Sequence, residues 1–229
     1  KKIKDNIVSC SRCGLCMDVC PVYKAKQTET SLLRGKFLQL FGLIRGDLNW
    51  NKKIAYNIDL CLSCKKCKKA CPSGINAVEI FSFIKEEYQN PFEKFFYGAF
   101  MFKLKLFLMK VLYKIKYSVK KTKRNKIKTS SGGEVHFRGC ASRFSNHGFI
   151  FENEGKFDCC GIPFYVKGRL DLYQKHKMRN IEKIKKAKKV IFDCATCYDT
   201  VLNYSELTEN DRQKLVYFTE YYKNKKLKL

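Results

Sequence analysis

A duplicated cysteine motif is the feature that most limits what this chain can fold into. In each copy, spacers of two, two and three residues separate four cysteines, and a proline follows the fourth. The copies are Cys10-x2-Cys13-x2-Cys16-x3-Cys20-Pro21 and Cys61-x2-Cys64-x2-Cys67-x3-Cys71-Pro72. Such short spacers bring several thiolates to one face of a loop, and thiolates are soft ligands that suit iron–sulfur clusters and zinc. The chain is therefore expected to fold around metal centres.

The form of the motif favours iron–sulfur clusters over zinc. Tetrahedral zinc sites normally use two CxxC pairs, whereas the longer run that ends in CP is typical of bacterial ferredoxins with two 4Fe-4S clusters. In those ferredoxins the cysteine before the proline ligates the other cluster. On this rule the ligands of the first cluster are Cys10, Cys13, Cys16 and Cys71. The ligands of the second cluster are Cys20, Cys61, Cys64 and Cys67.

The two cysteine loops differ at one informative position. Gly14 gives the first loop backbone freedom close to its cluster, because glycine adopts conformations that other residues avoid. Lys65 occupies the corresponding position of the second loop. Glycine is therefore not required in both loops.

Cysteine content and charge indicate the cellular setting. The 229 residues include 13 cysteines, a smaller fraction than the roughly 8–10% of disulfide scaffolds, and no secretory h-region is visible near Lys1. We therefore expect a reducing, cytoplasmic location, with the inner face of the cell membrane as a peripheral site. The formal net charge of +26 suits an anionic membrane, an acidic protein or nucleic acid.

Much of the positive charge lies in the segment 94–133, which contains twelve Lys or Arg residues and no acidic residue. Its apolar residues share one helical face, namely Met101, Leu104, Leu108, Val111, Leu112, Ile115 and Val119. A transmembrane helix is disfavoured, since Lys103, Lys105 and Lys110 would each cost about 2.5–3.5 kcal/mol at a bilayer centre. We expect an amphipathic basic helix that lies on an anionic membrane or packs against protein. Nucleic acid is not an expected partner, because the charge is concentrated in one helix without an aromatic platform.

The expected fold class is α+β and rich in α-helix, with three segments. A helical two-cluster ferredoxin-like domain covers 1–90, a basic helical linker covers 91–133, and a small α/β cysteine-rich domain covers 134–229. Apolar periodicity predicts helices over 31–44, 76–89 and 170–188. Short apolar runs at 135–137 and 190–192 predict parallel strands. Cys140 and Cys194 follow those strands, where ligands bind in open α/β sheets.

The stretches CSRCGLCMDVCPVYKAKQTETSLLRGK and IDLCLSCKKCKKACPSGI resemble the iron–sulfur subunit of bacterial glycolate oxidase. They also resemble its relatives in anaerobic glycerol-3-phosphate dehydrogenase and in lactate utilisation. Ser63, Ser73 and Arg34-Gly35 belong to this resemblance, and we assign these residues helix-capping and turn roles ahead of chemistry. The resemblance implies an electron-transfer subunit whose substrate and FAD are bound by a separate dehydrogenase polypeptide.

Five further cysteines resemble the CCG module of the same family and of heterodisulfide reductase. They are Cys140, Cys159, Cys160, Cys194 and Cys197. In the family a complete module implies a non-cubane 4Fe-4S cluster, with zinc or free, redox-active thiols as the alternatives. The chain departs from the family in the short interval between Cys140 and Cys159 and in having one module where relatives have two. His147 lies in that interval and is a candidate nitrogen ligand, though we expect it to be a bystander.

The leading functional expectation is an electron-transfer subunit of a membrane-associated flavoprotein that oxidises a glycolate-like 2-hydroxyacid. Electrons would pass from the FAD of the partner toward a quinone or a soluble acceptor. No GxGxxG run, phosphate loop or Ser/His/Asp arrangement is visible, so no catalytic residue is assigned. The alternative is a subunit of heterodisulfide reductase type, in which the CCG cluster itself acts on a disulfide.

Overall fold

The computed structural model describes residues 2–88, 90–96, 98, 103–105, 107–108, 111–112, 126–127, 133–140, 150–151 and 154–223. The chain forms two compact units. The first comprises Lys1–Pro91 together with Val166–Gly168, and the second comprises Phe92–Tyr165 together with Arg169–Leu229. Each unit has its own apolar core.

The first unit is helical in its described part. Its helices are α1 (Lys2–Val8), α2 (Cys16–Val19), α3 (Pro21–Lys26), α4 (Leu33–Arg45), α5 (Lys52–Asp59), α6 (Lys66–Ala70) and α7 (Ala77–Tyr88), with a 3-10 turn at Glu29–Ser31 before α4. A further helix, α8 (Pro91–Phe96), spans the boundary between the units. The predicted helices over 31–44 and 76–89 are observed as α4 and α7.

Local sequence explains several helix ends. Asn51 caps α5, because its side-chain oxygen accepts hydrogen bonds from the backbone N–H groups of Lys53 and Ile54, both at 3.0 Å. Gly46 ends α4 with a φ of 82°, which glycine adopts without strain. Pro21 begins α3, where its missing N–H leaves no intrahelical bond unmade.

The apolar faces of α4 and α7 build the core of the first unit. Leu40 and Ile80 are fully buried, and Phe37 meets Phe81 edge-on with ring centroids 6.2 Å apart. The same core contacts Cys10, Cys16, Cys61, Cys67 and Cys71. The cysteine loops are therefore held against a rigid apolar support.

The second unit contains a three-stranded parallel sheet. Its strands are β2 (Glu134–Phe137), β4 (Lys189–Phe192) and β5 (Leu215–Tyr217), in the order β2-β4-β5. The register of the first pair places Val135 opposite Val190 and Phe137 opposite Phe192. A separate parallel pair joins β1 (Lys126–Ile127) to β3 (Ile150–Phe151).

Helices surround this sheet. They are α9 (Ile162–Tyr165), α10 (Leu170–Lys186), α11 (Ala195–Leu202), α12 (Glu209–Gln213) and α13 (Phe218–Lys223). The predicted parallel strands and the helix over 170–188 are observed, whereas β5 was not predicted. It has only three residues, and so short a run carries no periodic signal.

The predicted basic helix is only partly described. The prediction covers about residues 95–121. Of these, 95–96 end α8, Gly98 lies in a bend, and 103–105, 107–108 and 111–112 are helical, while the others lie outside the described residues. Several apolar side chains of the described part are exposed, namely Leu104, Phe107, Leu108, Val111 and Leu112. In the described ranges, no helix is both long and apolar enough to cross a bilayer.

Candidate metal centres

One cavity of the first unit is lined by four cysteines that come from both motif copies. They are Cys20, Cys61, Cys64 and Cys67. Cys61 and Cys64 lie in the loop after α5 and Cys67 lies in α6, whereas Cys20 lies at the junction of α2 and α3. The remaining wall is largely apolar and includes Leu33 and Phe81. We refer to this cavity as the Cys61 cavity.

A second cavity of the first unit has the complementary set of cysteines. They are Cys10, Cys13, Cys16 and Cys71. Cys71 follows α6 and is brought beside the first loop, and Arg34 of α4 completes the rim. We refer to this cavity as the Cys10 cavity. In each cavity, three thiols come from one motif copy and one from the other.

The two cysteine loops share an unusual backbone conformation. Arg12 and Gly14 in the first loop have φ values of 59° and 86°, and Ser63 and Lys65 at the equivalent positions have 55° and 59°. Alternation of left-handed and right-handed residues turns successive N–H groups toward one point and makes a concave site for anions, which iron–sulfur clusters also use. Four soft thiols and a concave loop of N–H donors fit the needs of a 4Fe-4S cluster.

Electrostatics inside the cavities also fit a cationic iron core. Burial, reinforced by the neighbouring thiols of Cys61 and Cys64, raises the pKa of Cys67 to about 11. Burial likewise raises the pKa of Cys16. Thiols in this setting resist losing their protons without a metal, and cluster iron would replace those protons. By contrast, Cys13 and Cys64 are exposed at the outer side of their loops.

Two cations on α4 serve different cavities. Arg34 donates from Nε to Glu29 Oε1 at 2.6 Å and from its guanidinium to the carbonyl oxygen of Arg12 at 3.5 Å. Lys36 is 3% exposed and lines the Cys61 cavity. Burial lowers the pKa of Lys36, while the thiolates of Cys61 and Cys20 act in the opposite direction. Lys36 was not predicted as a site residue, although a lysine on the apolar face of a predicted helix is a usable signal.

Arg34-Gly35 is expected to have a helix-capping and turn role. Both residues lie in the first turn of α4. Gly35 is needed for close packing, because a Cβ atom there would lie 2.1 Å from the carbonyl oxygen of Glu29. The absence of a side chain lets the 3-10 turn approach α4, and the Glu29–Arg34 ion pair spans that contact.

The five cysteines of the second unit converge at the carboxyl ends of β2 and β4. The Cys159 thiol contacts those of Cys140 and Cys160, and Cys197 contacts Cys160 and Cys194. The five therefore form one continuous chain of thiol contacts. All thirteen cysteines are free of disulfides. Among the described residues, no three His, Cys, Asp or Glu side chains enclose a site for a single metal ion.

The pKa values of the thiols in this group differ, because each thiol contacts different neighbours. Contacts with Cys159 and Cys197 lower the pKa of Cys160 to about 4, and contact with Cys197 lowers that of Cys194 to about 6. For Cys159, the contact with Cys140 is outweighed by Cys160 and by burial, and its pKa rises to about 12. Contacts with Cys160 and Cys194 also raise the pKa of Cys197. This donor set suits a metal that takes thiolates.

Two buried polar residues hold the Cys159-Cys160 loop. Asn180 of α10 accepts a hydrogen bond from the Asp158 backbone N–H at 2.9 Å and donates to the Cys159 carbonyl oxygen at 3.1 Å. The Tyr204 hydroxyl donates to the Cys160 carbonyl oxygen at 2.8 Å. Both side chains are fully buried. Sequence reasoning missed them, though an asparagine among the apolar positions of a helix was a signal for Asn180.

A hydrogen bond joins the carboxyl ends of β2 and β4, close to the five cysteines. Asp193 accepts a hydrogen bond from the Gly139 backbone N–H at 2.7 Å, which joins the residues that precede Cys194 and Cys140. A Cβ atom at Gly139 would lie 2.7 Å from that of Cys194. Gly161 has a φ of 84° and packs against the Tyr173 ring, so no side chain fits there.

The histidines lie outside this thiol group or outside the described residues. His136 is buried in β2 with Nε2 3.9 Å from Asp193 Oδ2, and burial lowers its pKa to about 4. His176 on α10 stacks on Phe164 with ring centroids 5.0 Å apart. His147 lies outside the described residues.

Two sequence families match the chain at these sites. The family of the 4Fe-4S dicluster domain matches residues 6–75. The family of the cysteine-rich domain, of CCG type, matches residues 144–201. The chain combines a 4Fe-4S dicluster domain with a CCG domain. The dicluster match contains all eight cysteines of the two cavities, and the CCG match contains four of the five remaining cysteines, with Cys140 outside it.

Curated relatives carry the same names as the resemblance found in the sequence, which is thereby confirmed. The probable glycolate oxidase iron–sulfur subunit of Bacillus subtilis is 31% identical over 70 residues, which are 30% of this chain and 16% of that protein. A subunit of the dihydromethanophenazine:CoB–CoM heterodisulfide reductase of Methanosarcina mazei is 25% identical over 237 residues. That match covers 83% of this chain and 55% of the relative. No solved structure matches the chain significantly.

Proposed function

We propose that this chain is an iron–sulfur electron-transfer subunit with two 4Fe-4S clusters. The observation that carries the proposal is the pair of cavities, each lined by three cysteines of one motif copy and one of the other. Cys10, Cys13, Cys16 and Cys71 would hold one cluster, and Cys20, Cys61, Cys64 and Cys67 the second. The clusters would supply one-electron redox chemistry.

The chain would shield one side of each cluster from water and leave the other side accessible to a partner protein. The apolar core behind the loops excludes water, whereas Cys13 and Cys64 face outward. Leu15 and Leu62, each two residues from one of these cysteines, are 50% and 67% exposed. Exposed apolar residues beside a redox centre suit a transient protein contact, so these loop tips are the proposed docking points for donor and acceptor.

Replacement of Cys20, the ligand that comes from the other motif copy, tests the proposed assignment of cysteines to the two clusters. Serine offers a harder, poorly ionised oxygen in place of a soft thiolate, so Cys20→Ser should damage the cluster of the Cys61 cavity. Electron paramagnetic resonance of the reduced protein should then match Cys64→Ser and differ from Cys13→Ser. A Cys20→Ser spectrum that reproduces that of Cys13→Ser would overturn the assignment.

The CCG domain is proposed to hold a third centre, a non-cubane 4Fe-4S cluster bound by Cys140, Cys159, Cys160, Cys194 and Cys197. Its support is the continuous chain of thiol contacts. Anaerobically purified protein should contain about twelve irons with matching sulfide. About eight irons and one zinc would instead assign zinc to the CCG domain and remove it from the electron path.

The donor is proposed to be an FAD-containing dehydrogenase of a glycolate-like 2-hydroxyacid, and the acceptor a quinone or a soluble carrier. The match to glycolate oxidase subunits supports the donor, although it covers at most 30% of this chain and 16% of each of those relatives. Reduction of the clusters by the hydroxyacid only when the flavoprotein is present would support this partner. Reduction by the hydroxyacid without the flavoprotein would contradict it.

A second candidate function is the reduction of a disulfide at the CCG centre. It is favoured by the longer match to the heterodisulfide reductase subunit, which covers 83% of the chain and is therefore too long to be confined to the dicluster domain. Turnover of a disulfide substrate by the chain with an artificial electron donor would favour this function. That activity should disappear in Cys160→Ser. It should survive in Cys13→Ser only if the artificial donor delivers electrons directly to the CCG centre.

We also propose that the basic segment 94–133 binds the anionic surface of the inner membrane. The exposed apolar residues of its described part and the absence of acidic residues support this contact. A helix in that position lies in the interface and does not span the bilayer. The proposal places the electron path beside a quinone pool.

A further inference from the structure

Lys36 combines burial with a lack of acidic partners. Lys36 is only 3% exposed, so its side chain is almost entirely withdrawn from bulk water. Among the described residues, no carboxylate forms an ion pair with it. Its nitrogen lies 5.8 Å from the centroid of the Phe81 ring. A buried ammonium with so little compensation costs several kcal/mol, so some other group must balance its charge.

The lysine and four cysteine thiols line the same cavity, the Cys61 cavity. The thiolates of Cys61, Cys20 and Cys67 are the groups that favour its charged form. Four thiolates around a 4Fe-4S cluster leave a net negative charge, and one-electron reduction adds one more negative charge without adding atoms. The cluster would therefore supply the missing counter-charge for Lys36.

The Cys10 cavity has no equally buried cation among its described lining residues, because its Arg12 is exposed to water. Its rim carries Arg34, but the side chain of Arg34 is 29% exposed and pairs with Glu29 at 2.6 Å. Water and the carboxylate therefore screen the guanidinium charge from the cavity. The two sites thus have similar thiol ligands but different electrostatic surroundings.

We propose that Lys36 is a tuning residue that raises the reduction potential of the cluster in the Cys61 cavity above that of the cluster in the Cys10 cavity. The inference rests on the proposed two-cluster function. A fixed positive charge stabilises the reduced cluster more than the oxidised one, because reduction increases the negative charge. Electrons from the flavoprotein would move from the Cys10 cavity to the Cys61 cavity, which fixes the direction of flow within the dicluster domain.

The test compares Lys36→Met with Lys36→Arg in the full chain. Potentials are measured by anaerobic redox titration with dithionite, followed by electron paramagnetic resonance. Cys13→Ser and Cys64→Ser assign the signals to the two cavities. At a fixed solution potential, Lys36→Met should raise the ratio of oxidised to reduced cluster in the Cys61 cavity by about tenfold or more. This change corresponds to a fall of about 59 mV in the reduction potential of a one-electron couple. The Cys10-cavity cluster should move much less.

Lys36→Arg retains the charge and should keep the two potentials in their original order. Lys66→Met is the matched control, because Lys66 lies on the rim of the same cavity but is exposed to water. It should produce a far smaller shift than Lys36→Met. Equal shifts of both clusters in Lys36→Met, or no shift in either, would overturn the tuning role.

Cluster content separates failure of this inference from failure of the proposed function. A wild-type chain without iron and sulfide would remove the two-cluster function itself. Wild-type clusters with an unchanged potential in Lys36→Met would remove only the tuning role. If Lys36→Met alone loses the Cys61-cavity cluster, Lys36→Gln, which is shorter and polar, provides the neutral variant for the titration. Loss of that cluster in Lys36→Arg as well would show a requirement for shape and contradict the proposal.

Discussion

At the scale of single residues, the two cysteine loops solve one conformational problem with different side chains. Gly14 and Lys65 both have a left-handed backbone, with φ values of 86° and 59°. That conformation costs an ordinary residue roughly 1–2 kcal/mol relative to glycine. The second loop therefore carries strain that the first avoids, while both loops present the same concave set of N–H groups.

Lys65→Gly should relieve this strain, and Gly14→Ala should introduce it. A change of about 1 kcal/mol in a domain of this size shifts the unfolding midpoint by about 4–8 °C. We expect the midpoint to rise in Lys65→Gly and to fall in Gly14→Ala, followed anaerobically by the loss of cluster absorbance.

Lys66→Gly is the control for the lysine change, because Lys66 begins α6 with helical geometry. Glycine there should lower the midpoint slightly. A rise in both lysine variants would show that removal of positive charge, and not the backbone conformation, causes the stabilisation.

At the scale of secondary-structure elements, the proposed CCG centre depends on where a helix and two strands meet. β2 and β4 bring Cys140 and Cys194 to one edge of the sheet, and α10 presents Asn180 to the loop that carries Cys159 and Cys160. The loop is held mainly by hydrogen bonds to its backbone. Its cysteine side chains are therefore left available for a metal.

Asn180→Ala should loosen the CCG centre without affecting the dicluster domain. The change removes partners from the Asp158 N–H and the Cys159 carbonyl, and each buried group left unpaired costs about 1–3 kcal/mol. We expect metal bound to the CCG domain to be lost, while the two ferredoxin-type signals persist. Metal analysis and electron paramagnetic resonance on the same sample measure both effects.

Asn203→Ala is the matched control for this prediction. Asn203 is exposed at the end of α11 and donates to the Asp199 carbonyl oxygen. The Asn203→Ala variant should retain the metal of both the CCG domain and the dicluster domain. Equal metal content in the two variants would contradict the role assigned to Asn180.

At the scale of the whole molecule, net charge and its distribution govern the proposed membrane contact. Of the formal charge of +26, the segment 94–133 contributes twelve cations without a single acid. Each cation near an anionic membrane contributes roughly 1 kcal/mol to binding. Salt weakens this attraction, which is largely screened beyond about 10 Å at 0.1 M ionic strength. Binding through this segment should therefore be strong at low salt and weak at high salt.

Charge reversal in the segment should release the protein from vesicles that contain phosphatidylserine. The variant carries Lys103→Glu, Lys110→Glu and Lys114→Glu, and co-sedimentation at increasing salt measures its binding. The control reverses three exposed lysines of α6, namely Lys66, Lys68 and Lys69, and so has the same net charge. Equal loss of binding in both variants would show dependence on total charge alone, and unchanged binding after reversal in 94–133 would exclude the segment as the contact.

The sequence alone determined the chemistry of the sites, because cysteine spacing is a local property. Thiols two or three residues apart must share a loop, so the duplicated motif and the Cys159-Cys160 pair are sufficient to indicate thiolate metal centres. The parallel pairing of 135–137 with 190–192 was also predictable, since apolar strands joined by a long helix have few other arrangements. The short strand β5 had no comparable signal.

Only the tertiary structure decided which distant groups surround each site. Cys20 and Cys71 reach their cavities because α2, α3 and α6 pack against a common core, and no local pattern specifies that distance. Packing also buries Lys36 away from the carboxylates of the described residues and places Asn180 and Tyr204 against the CCG loop. The physical reason is that ligand type follows from the side chain itself, whereas burial, charge compensation and close approach depend on every element packed around it.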